Sequence, residues 1–305
     1  MMTKLDQIDK QILGILVRDC RKPYREIAKS LGMSATAIKS RVDDMIAAGV
    51  ITDFLVGFSH AMIGAEAMVV WIKTDGKENR AQFVSEIATN RGVVQISPLY
   101  GEDYFVGAEY TSSHELADLV EAFKRNPHVI NTEIHTLVFP RGKKTNLTNL
   151  QLRVLKALLK DARMLITDIA EETGLTVRLV RKILRELRES EAIIFSLRWR
   201  LNVGDRVTFL LKLKWDPKQI SRDEVIDTLL KNYQDKFWEI LPSANEPILF
   251  AAITVDNLND VDTITTEIKS LPAILYSEAI IYRRPYNYKS LRRLCLEEAI
   301  EAAGV

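Results

Sequence analysis

The sequence predicts an α+β protein in which two winged-type, three-helix units alternate with two four-stranded βαββαβ units. Three observations carry that reading. A stretch near the start repeats without a gap. Each copy opens with helical periodicity. Each copy is followed by a strand-rich segment with two further helices.

Shifting Leu5 onward by 142 positions lays residues 5–52 on residues 147–194. Leu13 meets Leu155, Leu16 meets Leu158, Ile27-Ala28 meets Ile169-Ala170, and Gly32 meets Gly174. Type holds where identity fails, as at Ile38 and Val180, Val42 and Leu184, Met45 and Leu187. Repeats of supersecondary size are sought first because they decide the fold.

In the first copy Ile8, Ile12, Leu13, Ile15 and Leu16 form one apolar stripe on a helix. A second helix is predicted from about residue 23 to 31, with Pro23 in the first turn, where a missing N–H costs nothing. Gly32 closes it, because a left-handed residue ends a helix and glycine adopts that conformation freely. Ser34 caps a third helix that buries Ile38, Val42, Met45 and Ile46. The second copy reads alike, with Thr176 as cap and Val180, Ile183, Leu184 and Leu187 inside. Two helices joined by a tight glycine turn, the second carrying polar and basic residues outward, make a helix-turn-helix. A plain three-helix bundle is the competing reading.

The segment after the first copy gives strands at 67–72, 93–99, 104–110 and 129–139, and helices at 80–90 and 116–125. The segment after the second copy gives strands at 207–213, 237–241, 248–255 and 274–282, and helices at 223–233 and 258–270. Both follow the βαββαβ order of a ferredoxin-like domain. The expected division is residues 1–54, 62–140, 145–197 and 204–284, with a helical tail at 286–305 that buries Leu291, Leu294, Cys295 and Ile300. PRGKKT, residues 140–145, reads as a linker.

Of 305 residues, 47% are hydrophobic and 27% charged, which fits a folded protein and not a disordered one. The 42 basic and 41 acidic residues exclude a uniformly basic nucleic-acid coat. The charge is unevenly placed. Residues 1–52 hold nine basic and six acidic side chains, and residues 143–195 hold eleven and seven, so the body between them is acidic. Two cysteines, Cys20 and Cys295, fit a reducing compartment. No apolar run is long enough for a transmembrane helix, and the charged N-terminus has no signal-peptide core, so a cytoplasmic, nucleoid-associated protein without membrane contact is expected.

The first half resembles the Lrp/AsnC, or feast/famine, family of leucine-responsive regulators. The residues carrying this are Leu5-Asp6, Asp9, Ile12-Leu13, Leu16, Asp19, Arg21, Ile27-Ala28, Leu31-Gly32-Met33-Ser34, Arg41 and Gly49-Val50-Ile51. The Gly101-Glu102-Asp103-Tyr104 turn resembles that family's Gly-x-Asp turn. The second copy departs from it: Glu191 stands where the first has Gly49, and Ala244-Asn245-Glu246-Pro247 replaces the turn. In that family two chains pair through their sensing domains. The resemblance implies one chain that imitates such a dimer, with its two ferredoxin-like sheets packed together, double-stranded DNA as partner, an amino acid as effector, and homo-oligomers (dimer or higher).

DNA affinity comes largely from phosphate neutralisation, and specificity from side chains at base edges. The expected DNA-facing residues are Ser34, Thr36, Lys39, Ser40 and Arg41 in the first copy, beside Ala35. In the second they are Thr176, Arg178, Arg181, Lys182, Arg185 and Arg188. The four arginines share one helical face; a solvated face paired with Glu186 and Glu189 is the alternative. Two unlike recognition helices predict two unlike half-sites, about 34 Å or a multiple apart. Tyr100, Gly101 and Asp103 are the candidate effector turn, whose backbone N–H groups and carboxylate could hold an amino acid's charged ends. A simple β-turn is the alternative there.

For catalysis the sequence offers little. The histidines His60, His114, His128 and His135 lack zinc-site spacing, and no CxxC, phosphate loop or nucleophile elbow occurs, so no catalytic residue, cofactor or metal is expected. Sirohaem decarboxylases resemble Lrp/AsnC proteins in fold, which keeps one enzyme alternative in view. It would draw on His60, His114 and His135 with Arg283-Arg284. A DNA architectural protein that does not read sequence is the other alternative.

Overall fold

The computed structural model describes residues 5–200, 206–233 and 236–305. The expected domain starts at residues 1 and 204 lie outside the described residues. The chain opens with α1 (Gln7–Arg18), α2 (Tyr24–Leu31) and α3 (Ala35–Ala47), then β1 (Ile51–Phe58) and the short α4 (His60–Ile63). There follow β2 (Glu66–Thr74), α5 (Arg80–Ala88), β3 (Val93–Pro98), β4 (Asp103–Tyr110), α6 (Ser113–Arg125) and β5 (Val129–Thr136). The second copy supplies α7 (Asn149–Leu158), α8 (Ile166–Thr173), α9 (Val177–Glu189) and β6 (Ile193–Trp199). It continues with β7 (Val207–Trp215), α10 (Arg222–Tyr233), β8 (Phe237–Pro242), β9 (Ile248–Val255), α11 (Leu258–Lys269) and β10 (Ile274–Ile281), and ends with β11 (Tyr286–Asn287) and α12 (Leu291–Ala302).

The described residues form two compact units. One holds both helix-turn-helix segments and α12, from residues 5–64, 140–200 and 292–305; the other holds the sheets, from 65–139 and 206–291.

In the helical unit each trihelical core buries the stripe that its periodicity predicts. Ile12, Leu13, Leu16, Ile27, Ile38, Val42 and Met45 are buried in one copy, and Val154, Leu155, Leu158, Ile169, Val180, Ile183, Leu184 and Leu187 in the other. Asp6 and Thr148 begin α1 and α7 with reciprocal capping boxes. Gly32 and Gly174 close α2 and α8 at φ +65° and +64°. Pro23 stands at the N-cap of α2, one residue before the helix.

The strands β1 and β6 pair with each other, antiparallel, from Phe58 opposite Ile193 to Ile51 opposite Trp199. Their register is self-complementary under the sequence repeat: Phe54 faces Leu197 and Leu55 faces Ser196, and each pair maps onto the other after the 142-residue shift. Such an isologous contact is what a two-fold dimer makes. Arg21 repeats the pattern. Its Nη1 donates to the carbonyls of Ala162 at 2.6 Å and Met164 at 3.1 Å. Its counterpart Arg163 donates to the carbonyls of Cys20 and Lys22 and lies 4.2 Å over the Tyr24 ring. The tail helix α12 packs on the ribbon, where Arg293 donates to the carbonyls of Val56 (3.0 Å) and Leu159 (2.6 Å). It buries Leu291, Leu296 and Ile300. Leu294 and Cys295, expected inside, are only half-buried.

In the sheet unit the strand orders β3-β4-β2-β5 and β8-β9-β7-β10 are the two ferredoxin-like sheets. One face of each carries its own helices, over Phe83, Tyr104 and Phe123 in the first and Phe209, Leu229 and Ile264 in the second. The opposite faces pack on each other through Val69, Trp71 and Phe105 from one sheet and Leu210, Ile248 and Phe250 from the other. Burial on both faces is why β2 and β9 read as unbroken apolar runs. The isolated bridges Leu99–Tyr282 and Leu137–Ser243 tie each sheet to the other at equivalent corners. The tail then breaks the symmetry. Strand β11, where helix was expected, adds a fifth strand beside β3. No described helix is long and apolar enough to cross a membrane.

Candidate nucleic-acid interface

A helix-turn-helix reads DNA with the outer face of its second helix, here α3 and α9. Ser34 and Thr176 serve as their N-caps, accepting from the N–H groups of Ala37 (3.1 Å) and Leu179 (3.3 Å). Those oxygens are occupied by the helix ends, which leaves their hydroxyl protons for any other partner.

On α3, Thr36, Lys39 and Ser40 are exposed and Ala35 is half-buried. Lys39 is held by Asp43, one turn on, at 2.5 Å. Arg41 does not face outward. Its side chain is about one-third exposed and its Nη1 bridges Asp6 (2.7 Å) and Asp9 (2.8 Å) of α1 and its cap. Burial pushes the Asp9 carboxyl up; at Asp6 burial is the largest single influence and also pushes up, but the Asp9 N–H and Arg41 together outweigh it and hold that carboxyl down. Arg41 therefore fastens α3 to α1, and its assignment to the DNA face is corrected. Ile46, expected inside, is 44% exposed.

On α9, Arg178, Arg181, Lys182, Arg185 and Arg188 are all exposed. Lys182 lies 3.7 Å from Glu186. Arg188 is committed elsewhere in the same unit: its guanidinium pairs with Asp19, at the end of α1. This removes it from the free stripe that its spacing implied. Arg178, Arg181 and Arg185 have no ion-pair partner among the described residues, and with Thr176, Leu179 and Lys182 they line a recess of about 450 Å³. The spacing put Arg178, Arg181, Arg185 and Arg188 on one face with Lys182 also outward; all five are exposed, and Arg188 is drawn to Asp19.

The expected effector turn lies in the sheet unit. Gly101 takes φ +99° and Tyr100 is 58% exposed. Two of the groups that the turn was expected to offer are occupied. The Tyr100 N–H donates to the Ile281 carbonyl, and Asp103 accepts from the Trp71 indole at 2.8 Å. Arg283 lies 4.4 Å over the Tyr100 ring, a cation that motif reading did not connect with this turn.

Between the sheets His135, named by the sequence reading, joins Glu133, Lys212 and Ser243, which that reading missed. His135 is fully buried, with Nδ1 3.1 Å from the Ser243 hydroxyl and Nε2 2.8 Å from Glu133. Glu133 also accepts from Lys212 at 2.5 Å, and these two bonds lower its pKa against burial. The arrangement joins the copies rather than forming a reactive site, because the Ser243 oxygen also accepts from the N–H groups of Asn245 and Glu246. His114, by contrast, stands exposed on α6 beside Asp118. Of the histidines that the decarboxylase alternative drew on, His135 is thus sealed between the sheets and His114 stands in solvent.

Comparison with known proteins agrees with this geometry. Residues 5–46 match the AsnC-type helix-turn-helix domain, and residues 147–194 match a winged helix-turn-helix DNA-binding domain. An uncharacterized HTH-type transcriptional regulator of Pyrococcus abyssi is 32% identical over 135 residues, which span 41% of this chain and 91% of the relative. The HTH-type transcriptional regulator FL11 of Pyrococcus horikoshii is 29% identical over 146 residues, 47% of this chain and 95% of the relative. Among solved structures, the siroheme decarboxylase NirDL is similar over 98% of this chain and 100% of its own, with a TM-score of 0.60 and 12% identity. That likeness is one of fold. The two helix-turn-helix matches and the regulator of which this chain covers nine-tenths show the family: the chain belongs to the Lrp/AsnC family of helix-turn-helix transcriptional regulators.

Proposed function

We propose that this regulator binds double-stranded DNA sequence-specifically as a covalent pseudo-dimer, each chain presenting two unlike recognition helices to two unlike half-sites. The observation that carries this reading is the reciprocal Arg21 and Arg163 contact beside the isologous β1–β6 ribbon. It supports a fixed spacing between two DNA-reading units, the property a dimeric regulator obtains from two chains. The contact residues in this reading are Thr36, Lys39 and Ser40 of α3 and Arg178, Arg181, Lys182 and Arg185 of α9. Work on the nucleoid follows from it.

Modulation by a small carboxylate-bearing effector, an amino acid in this family reading, belongs with the Gly101 turn. With Asp103 tied to Trp71, Arg283 stacked on Tyr100 is the group best suited there to meet a carboxylate.

Selection of the purified full chain against a random duplex library at about physiological salt tests the proposal. An enriched, asymmetric two-part site is expected. Retention without a motif would replace it with an architectural role, and no retention would overturn it. In that last case a Soret band on adding iron uroporphyrin would identify the decarboxylase alternative.

A further inference from the structure

The repeat lets the two recognition surfaces be compared position by position. Thr36, Lys39, Ser40 and Asp43 of α3 align with Arg178, Arg181, Lys182 and Arg185 of α9. All eight are exposed. The α3 set is electrically neutral, and its one cation is already paired with its one anion at 2.5 Å. The α9 set carries four positive charges, of which, among the described residues, only Lys182 has an ion-pair partner, Glu186 at 3.7 Å. The next cation in each helix is withdrawn as well, Arg41 to Asp6 and Asp9, and Arg188 to Asp19. The same docking surface therefore differs by four charges between the copies.

Phosphate neutralisation supplies the salt-sensitive part of DNA affinity without sequence information. Short hydroxyl and methyl groups supply base-edge contacts with little of that affinity. We propose that the two units divide the task. Unit two grips: Arg178, Arg181 and Arg185 bind phosphates over a half-site of nearly any sequence. Unit one reads: Thr36 and Ser40 determine the base preference of the other half-site. The inference rests on the DNA-binding reading above and adds to it which helix carries affinity and which carries specificity. The ligand is thus an asymmetric duplex, one half fixed in sequence and the other degenerate.

The test uses three full-length proteins: wild type, R178A/R181A/R185A and T36A/S40A. Each is put through random-duplex selection, and each is titrated on the wild type's selected duplex between 50 and 200 mM KCl. The substitutions fall on exposed positions, so circular dichroism and the melting transition should match wild type in both variants. The wild-type motif should show one informative half and one nearly degenerate half. The arginine variant should select the same motif only at low salt. Its affinity should fall about 40-fold less than wild type's over that salt range, from three lost phosphate contacts at about 0.9 each in the log–log slope. T36A/S40A should keep the wild-type salt slope and lose the motif.

Two equally informative halves, one of them guanine-rich and lost in the arginine variant, would overturn the inference, because the arginines would then be reading guanine edges. A motif unchanged in T36A/S40A would overturn it too. Failure of the wild type to retain any duplex would instead defeat the DNA-binding reading itself.

Discussion

The coupling between the two helix-turn-helix segments rests on Arg21, and its removal has a calculable cost. Arg21→Ala deletes charge-assisted bonds to two carbonyls, those of Ala162 at 2.6 Å and Met164 at 3.1 Å. Ala162 is fully buried, so water does not freely replace its lost partner. At about 1.5–3 kcal/mol for a bond to a charged group, and with only the buried carbonyl fully penalised, the loss is about 2–4 kcal/mol. Hydrogen exchange reads it locally. The Cys20 amide donates to Phe195 and the Ala162 amide to Phe54, across the contact that Arg21 supports. Opening free energy reduced by that amount corresponds to exchange about 30- to 700-fold faster at both amides. Arg163→Ala should do the same, because it occupies the mirrored position. The double variant should cost less than the sum of the two, since both arginines support one contact. Arg21→Lys should rescue little, because an ammonium cannot reproduce a planar fork. Exchange at Cys20 and Ala162 within a factor of about three of wild type in Arg21→Ala would refute this reasoning.

Further outcomes follow from the same structure. Burial pushes the Cys20 thiol up to about 12, so in the native protein at pH 8 it should resist alkylation that proceeds readily on unfolding. The folded thiol lies above an unfolded value of about 8.5, so the stability it contributes is present below that pH and is lost as pH rises toward 12; denaturant midpoints should fall across that window. Gly142→Ala would bring a Cβ to 2.4 Å from the Glu191 carbonyl oxygen and 2.5 Å from Ser59 Cβ, at φ +71°, and should lower stability by roughly 2–4 kcal/mol in calorimetry. Glu191 itself takes φ +55° where the first copy has Gly49, so Glu191→Gly should raise stability by about 1 kcal/mol despite losing an exposed pair with Lys143. Phe250→Ala removes a ring 5.2 Å from Phe105 and 6.3 Å from Trp71 between the sheets, and should cost about 3–5 kcal/mol in denaturant unfolding.

Much of the fold was legible because it depends on local rules applied twice. Both glycine turns, both trihelical cores and all eight sheet strands follow from periodicity and from the repeat. The β1–β6 ribbon was not predicted as an element. β1 does not alternate cleanly; β6 does, burying Ile193, Phe195 and Leu197, but each strand finds its partner only in the other copy, beyond the reach of any local pattern. The exchange of Arg41 and Ile46 has a similar cause. Helical spacing alone put the isoleucine inside, whereas the buried Asp9 draws the arginine in. The signal was present in the alignment: Arg41 lies opposite buried Ile183, and Ile46 lies opposite Arg188. Strand β11 escaped notice because two residues paired to a distant edge leave no periodicity. At the candidate interface, spacing identified the cationic face of α9, but partners such as Asp19 are set by tertiary packing and decide which cations remain free.

The central claim is that one chain supplies both halves of a DNA-binding dimer. Hydroxyl-radical footprinting on the selected duplex, titrated to measure stoichiometry, tests it most directly. The account predicts two protected patches about 34 Å apart, or a multiple of that, saturating at one chain per duplex on an asymmetric site. A palindromic footprint that saturates at two chains, each protecting one half through a single helix-turn-helix, would contradict it.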